Sequence, residues 1–230
     1  VTSESNELLI TSVKVDRKQG KQYSITIESI PEPIVVHEDL FISYRLMKGR
    51  GLTSSLVDEI KEENAKYMAY IKGIRYLAPK ARSSQQVAQY LRRQEFEEQH
   101  IAVAIARLIN EGYIDDLAFA ELYVQSKRNR QGKGQLRIAQ ELKALGISRE
   151  HISRVLQTID DEQELEAAYE AAVKKLRSIR GDKLERSRKL MQFLLRRGYS
   201  GDICRKTMQR IEKERIFSVD VDINGELLDN

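Results

Sequence analysis

The sequence predicts a mainly α protein: three tandem three-helix modules, stacked in an elongated, curved array of right or left hand, behind a small N-terminal β-hairpin unit. Three observations predict it. Apolar residues recur at helical spacing from about residue 56 to residue 211. That pattern repeats at a near-constant offset. Only 3 Pro and 12 Gly punctuate 230 residues, which favours long helices over many turns.

The elements follow in order. Residues 1–9 read as a loose leader. From Ile10 the period changes to two: Val13 and Val15 alternate with polar residues, then Tyr23, Ile25 and Ile27 do the same. The polar stretch 16–21 between them, with Gly20, makes a β-hairpin. Pro31 and Pro33 break the second strand, and residues 34–36 add a third. Residues 37–46 read as a short helix. A lone hairpin is marginal in water, so this unit must pack on the helical body or a partner.

The repeat is found by taking Ile138, Leu142, Ile147, Ile152, Leu156 and Ile159 as a template. Fifty-one residues earlier stand Val87, Leu91, Phe96, Ile101, Ile105 and Leu108; fifty-two later stand Leu190, Leu194, Tyr199, Cys204, Met208 and Ile211. All eighteen are apolar or Tyr. Each block reads as a second helix, a turn and a third helix. First helices precede them at residues 62–77, 116–128 and 162–180, with Tyr70, Leu117, Ala120, Val124, Tyr169 and Leu176 among their apolar positions. Ser83 with Gln86 and Asp182 with Glu185 fit capping boxes, Ser148 and Ser200 fit third-helix starts, and Asp115 or Asp116 and Asp160 or Asp161 fit first-helix starts. Gly146 and Gly198 fall where second helices need a left-handed end. The resulting division is residues 1–60 for the hairpin unit, 61–112, 113–160 and 161–213 for the modules, and 214–230 for an acidic tail. That tail alternates again at Phe217, Val219, Val221 and Ile223, so either a strand or a disordered end fits it.

The net charge is +4, unevenly placed. Residues 127–154 hold eight basic residues against two acidic ones, and residues 174–197 hold ten against two. Residues 216–230 carry four acids and no base. Such clustering points to a polyanionic partner, nucleic acid or an acidic protein groove. One cysteine, Cys204, excludes an internal disulfide framework and reads as a small buried apolar residue. Near Val1 there is no secretory h-region, and no apolar run reaches spanning length, so the expectation is a soluble cytoplasmic protein without membrane contact. The Val1 start fits an alternative or trimmed terminus.

No catalytic arrangement is legible. His37, His100 and His151 have no metal-ligand spacing, and His100 and His151, at equivalent repeat positions, read as a coincidence of helix surfaces. Gly132-Lys133-Gly134 lacks the earlier Gly and the Ser or Thr of a P-loop. N-capping explains Asp115-Asp116 better than a metal site does. The expectation is a binding protein with no cofactor.

Basic residues gather between first and second helices: Lys80 and Arg82; Lys127, Arg128, Arg130 and Lys133; Arg177, Arg180, Lys183 and Arg186. Arg92, Arg93, Arg137, Arg196 and Arg197 add to them from second helices. With regular stacking they form a recurrent basic edge suited to a helical polyanion or a filament groove. Charge reversal at Arg128, Arg130 and Lys133 is expected to weaken binding and leave helicity unchanged. Residues 138–156 also have the helix–turn–helix form, which would turn Arg149, Glu150, His151 and Arg154 to base edges of duplex DNA.

The motifs GYIDDLAFAELYV (residues 112–124), the Gly-Lys-Gly hinge, RIAQELKALGI (137–147) and FLLRRGY (193–199) resemble the RecX family of recombination regulators. The resemblance runs over about residues 61–211, and the N-terminal β unit resembles the longer, Gram-positive-type members. Family members often carry Lys before the first hinge glycine and Pro after the second; here these are Gln131 and Gln135. The resemblance implies a monomeric modulator that binds the RecA–single-stranded-DNA filament, with weaker affinity for single- and double-stranded DNA, and suppresses its ATPase and strand exchange. It makes Phe119, Tyr123, Ile138, Leu142 and Ile147 structural. By charge and position, Arg128, Arg130, Lys133 and Arg137 are the first contact candidates.

Overall fold

The computed structural model describes residues 7–16 and 21–214, without the side chains of Asp16, Asn129 and Arg130. The expected leader to residue 6, the hairpin turn at 17–20 and the tail from 215 lie outside the described residues. Two compact units divide between Asp115 and Asp116.

The first unit opens with β1 (Leu8–Asp16) and β2 (Gln22–Ile27), paired antiparallel, followed by β3 (Ile34–His37) and α1 (Glu38–Ser43). A two-residue strand, β4 (Gly51–Leu52), pairs with the start of β1 and gives the sheet the order β3-β2-β1-β4. The sequence holds no sign of β4, because two residues carry no period. The sheet buries Ile10, Ile25, Ile27 and Val36 on one face, as strand alternation demands. Val15 is exposed, and core contact on β1 ends at Val13.

Helix α2 (Ser54–Leu77) covers that face and continues into the first module. It starts eight residues before the expected position, because the Thr53 side chain accepts the Leu56 amide and Val57 and Ile60 are buried under the sheet. Its second half supplies Ala69 and Tyr70 to the next core, so the expected 60/61 boundary falls inside one helix. Asn64, midway along α2, accepts from the His37 amide at 3.0 Å and donates to Val35 O at 2.9 Å. One amide side chain thus satisfies backbone groups of β3 that an open edge would leave bare.

The modules continue with α3 (Ser84–Arg93) and α4 (Glu98–Asn110) in the first unit. The second unit holds α5 (Asp116–Gln131), α6 (Gln135–Ala144), α7 (Arg149–Gln157), α8 (Asp161–Leu176), α9 (Lys183–Arg197) and α10 (Gly201–Lys213). Of the eighteen repeat positions, thirteen are buried and the other five half-buried. Ser83 makes its capping box with Gln86; Ser148, Asp160, Asp182 and Ser200 each accept a first-turn amide. Glu95 takes the left-handed conformation at φ 65° where the later modules have Gly146 and Gly198. Helix α8 stops at Leu176 rather than 180, which leaves Arg180 in the connection to α9.

Two sets of repeat-equivalent core positions, Ala120 excepted, escape a reading by apolar period. Ala69, Ala120 and Ala172 are fully buried on the three first helices. Ala104, Val155 and Thr207 are buried on the third helices, where the Thr207 hydroxyl donates to Ile203 O at 2.8 Å. His100 is buried against Glu62, with Nε2 3.0 Å from its carboxylate; it is not a surface residue. Its counterpart His151 is half-buried.

In the outer modules a Tyr–Arg–Glu clamp ties the first helix to the third. Arg107 lies 3.8 Å over the Tyr70 ring, and both side chains donate to Glu111. Arg210 lies 3.8 Å over Tyr169, and both donate to Glu214. The middle module has Thr158 at the arginine position, its hydroxyl bonded to Val155 O.

Candidate polyanion-binding groove

The hinge between α5 and α6 is built against the end of α9. The Gly134 amide donates to Arg197 O at 2.9 Å, and the Leu136 amide to Gly198 O at 3.0 Å. In return Arg197 Nη1 donates to Gln131 O, and the Tyr199 hydroxyl donates to Gly132 O at 3.0 Å. Burial pushes the Tyr199 hydroxyl up to about 12, so it remains a donor at neutral pH. The approach is so close that a Cβ on Gly134 would overlap the Gly198 carbonyl. Gly134 therefore serves backbone-to-backbone docking of the second module on the third, while Gly132 takes the left-handed turn at φ 52°.

Glu164 of α8 sits under this junction, 3% exposed, and accepts the Gln135 amide at 2.8 Å. Its other oxygen and Arg128 Nε are buried without a hydrogen-bond partner among the described residues. Burial pushes the Glu164 carboxyl above its usual range, against the opposing pull of the Gln135 bond and the Arg128 charge. A raised native pKa favours folding fully below the ordinary carboxylate pKa, and that contribution is lost as pH rises through the native value. Glu164→Gln should therefore gain stability over the parent as pH climbs from acid to neutral. Urea midpoints taken across that range would show the gain growing; a flat difference would contradict it.

Above the junction opens a groove of about 1100 Å³. Ala167, Ala171 and Phe193 give it an apolar lining, and seven cationic side chains stand around it: Arg128, Lys133, Arg137, Lys174, Lys175, Arg196 and Arg197. Glu170 is the one acidic residue among the described residues that line it. Lys175 and Arg197 lie 5.8 and 4.9 Å from the Phe193 ring centroid, so the aromatic face is itself edged with charge.

The expected contact residues divide on this geometry. Arg128, Lys133, Arg137, Arg196 and Arg197 are brought together in the groove. Lys127 lies 5.1 Å over Tyr123, and the Arg130 side chain is outside the described residues. Arg177 and Arg180, in the α8–α9 connection, and Arg186, in the first turn of α9, do not line the groove. Lys183 pairs with Glu212 at 2.9 Å. In the first unit Arg82 stacks on Tyr76 at 3.9 Å and Arg92 forks onto Glu98, while Lys80 and Arg93 are exposed. Lys174 and Lys175 were not among the expected residues, although the charge run at 174–197 contains both.

The structure also changes the expected outcome of charge reversal in the hinge. Lys133 is bonded to Glu141 and Arg128 is half-buried beside the Glu164 junction, so reversing either disturbs packing as well as surface charge. In the helix–turn–helix arrangement, Arg149, Glu150 and Arg154 are exposed, but His151 Nδ1 is buried. Cys204 is fully buried and its thiol is pushed up to about 11 by burial, which makes it a core residue rather than a nucleophile. No helix among the described residues is long and apolar enough to cross a membrane.

The chain is similar to known proteins in sequence and fold. Three family models match in series: the first three-helix domain of RecX over residues 69–108, the second over 115–156 and the third over 161–208. The regulatory protein RecX of Listeria monocytogenes serotype 4a is 32% identical over 215 residues, covering 93% of this chain and 80% of its own. That of Oceanobacillus iheyensis is 29% identical over 209 residues, covering 88% and 76%. A crystal structure of regulatory protein RecX superposes with a TM-score of 0.72 at 25% identity, over 88% of this chain and 99% of the other. The RecX structure from Lactobacillus salivarius gives 0.60 at 27% identity, over 66% and 99%. The serial three-helix domains, the N-terminal strand unit and this level of identity together establish that the chain belongs to the RecX family of regulatory proteins.

Proposed function

We propose that the protein binds the RecA–single-stranded-DNA filament through the groove of its second unit and inhibits the filament's ATPase and strand exchange. It does so as a cytoplasmic monomer that modulates recombination and DNA repair. The observation that carries this reading is the convergence of seven cations against one acid on an apolar, aromatic-lined groove, in a chain of a regulatory family. Neutralising closely spaced phosphates, or an acidic protein groove beside them, is what such a surface does best. On this reading regulation proceeds by occupancy of the groove rather than by chemistry. Affinity for DNA alone is auxiliary.

The test is the DNA-dependent ATPase of RecA with the protein added at substoichiometric and at stoichiometric levels. Inhibition at low ratios indicates capping of filament growth, and inhibition only near equivalence indicates blocking along the filament. An undiminished ATPase, under conditions where a specific duplex is bound tightly, overturns the proposal.

A further inference from the structure

Four of the groove's seven cations form two contrasting pairs. Lys174 and Arg196 stand exposed, without an acidic partner among the described residues. Lys133 and Arg137 are both held by Glu141, a carboxylate of α6 that does not itself line the groove. Lys133 Nζ donates to its two oxygens at 2.6 and 2.9 Å, Arg137 Nε donates at 3.1 Å, and the Tyr123 hydroxyl donates at 3.0 Å. Burial works to raise the Glu141 carboxyl, but the donors from Lys133, Tyr123 and Arg137 outweigh it and hold it below its ordinary range. The negative charge behind the groove wall is therefore permanent at neutral pH.

Counting protons shows what this costs a ligand. An ammonium has three donors, and Lys133 spends two of its three on Glu141. A guanidinium has five, of which Arg137 spends one and is thereby oriented. Glu141 thus leaves the Arg137 fork largely available but pre-empts Lys133. With side chains 21% and 18% exposed, the Lys133–Glu141 pair is shielded from the solvent screening that makes surface pairs weak.

We infer that Glu141 is an internal competitor for the groove's ligand. It mimics the ligand's anionic group, keeps Lys133 occupied and holds the groove below the charge that its lining would otherwise present. An isolated stretch of polyanion must displace Glu141 to reach that ammonium and is held weakly. A rigid, dense array of anions meets several cations at once and displaces it readily. Glu141 is then a residue that sets discrimination between filament and free strand. The inference rests on the groove being the polyanion site.

The experiment uses the full chain and a labelled oligothymidylate, an unpaired polyanion without sequence information. Binding is followed by fluorescence anisotropy between about 50 and 200 mM salt. Glu141→Gln keeps the shape and an accepting oxygen but removes the charge. It should bind about three- to tenfold tighter at the low-salt end, from the Coulomb term of one nearby charge. The slope of log K against log salt should also steepen by about 0.7, one further phosphate neutralised on a single strand. Equal or weaker binding, or a tighter complex with an unchanged slope, overturns the inference. Should the Gln variant lose helical signal, Glu141→Met, of similar volume, carries the same expectation. Lys174→Glu, outside the Glu141 network, separates the two claims. If it binds like the parent, the groove is not the site and the proposed function loses its surface. If it binds weakly while Glu141→Gln is no tighter, the groove stands and the competitor fails.

Discussion

Reversing Lys174 and Arg196 together should lower affinity for the RecA filament and for single-stranded DNA by about a hundredfold at low salt, with helix content unchanged. Both side chains are exposed on the groove wall, so their charge is available to a ligand and their replacement leaves the core intact. Each reversal removes a phosphate neutralisation and adds a repulsion, and the salt slope should fall by about 0.7 for each phosphate of a single strand that is no longer neutralised. The comparison variant is the reversal of Arg92 and Arg93, which gives the same total charge as the groove variant but lies in the first unit and does not touch the groove's lining. Equally weakened binding by the two double variants would mean that net charge alone governs affinity. Weakening confined to the groove pair, read by anisotropy and by relief of ATPase inhibition, supports the site.

The second large effect concerns folding. Gly198→Ala should destabilise the second unit by about 2–4 kcal/mol, from a left-handed backbone cost of about 1 kcal/mol and an overpacking cost of about 1–3 kcal/mol. Gly198 has φ 88°, and a Cβ there would overlap the backbone nitrogen and Cβ of Arg137. The neighbour is main chain anchored by Leu136, so it cannot swing aside. A fall in Tm of about 10 °C is expected for the transition of the second unit. Gly49→Ala supplies the reference, because Gly49 has φ 86° but open space around its Cβ position, so only the backbone cost applies. If the two substitutions cost the same, the junction between α6 and α9 is not tightly packed.

Most of the fold was legible because helical repeats write the same information three times. A single Leu at one position says little, but Val87, Ile138 and Leu190 at one register say that the position is core. Capping was legible at Ser83, Ser148, Asp160, Asp182 and Ser200, since a hydroxyl or carboxylate immediately before a periodic run has a local task. The buried alanines 69 and 172 were not, because a single methyl adds little to an apolar stripe, and Thr207 hides its buried position behind a hydroxyl that bonds its own helix. The first two turns of α2 carry Leu56, Val57 and Ile60 at helical spacing, but these pack on the sheet rather than in a module core, so the repeat does not include them.

Of the groove, the charge was legible and the pairing was not. Arg137 and Glu141 are four residues apart on one helix, and that pair can be read directly. The Lys133 bond to the same carboxylate depends on how the hinge turns at Gly132, and the Glu164 bond to Gln135 spans twenty-nine residues. No periodicity records either. Sequence reading therefore counted cations without separating those that are spent from those that are available.

The clamps of the outer modules have a consequence for motion. Where Tyr70, Arg107 and Glu111 or Tyr169, Arg210 and Glu214 lock first helix to third, opening the module breaks a stacked cation and two donors to one carboxylate. Thr158 gives α7 no such tether, since its hydroxyl is spent on its own helix. The nine residues of α7 are then expected to open locally before α4 and α10, and hydrogen exchange of their amide protons would show it.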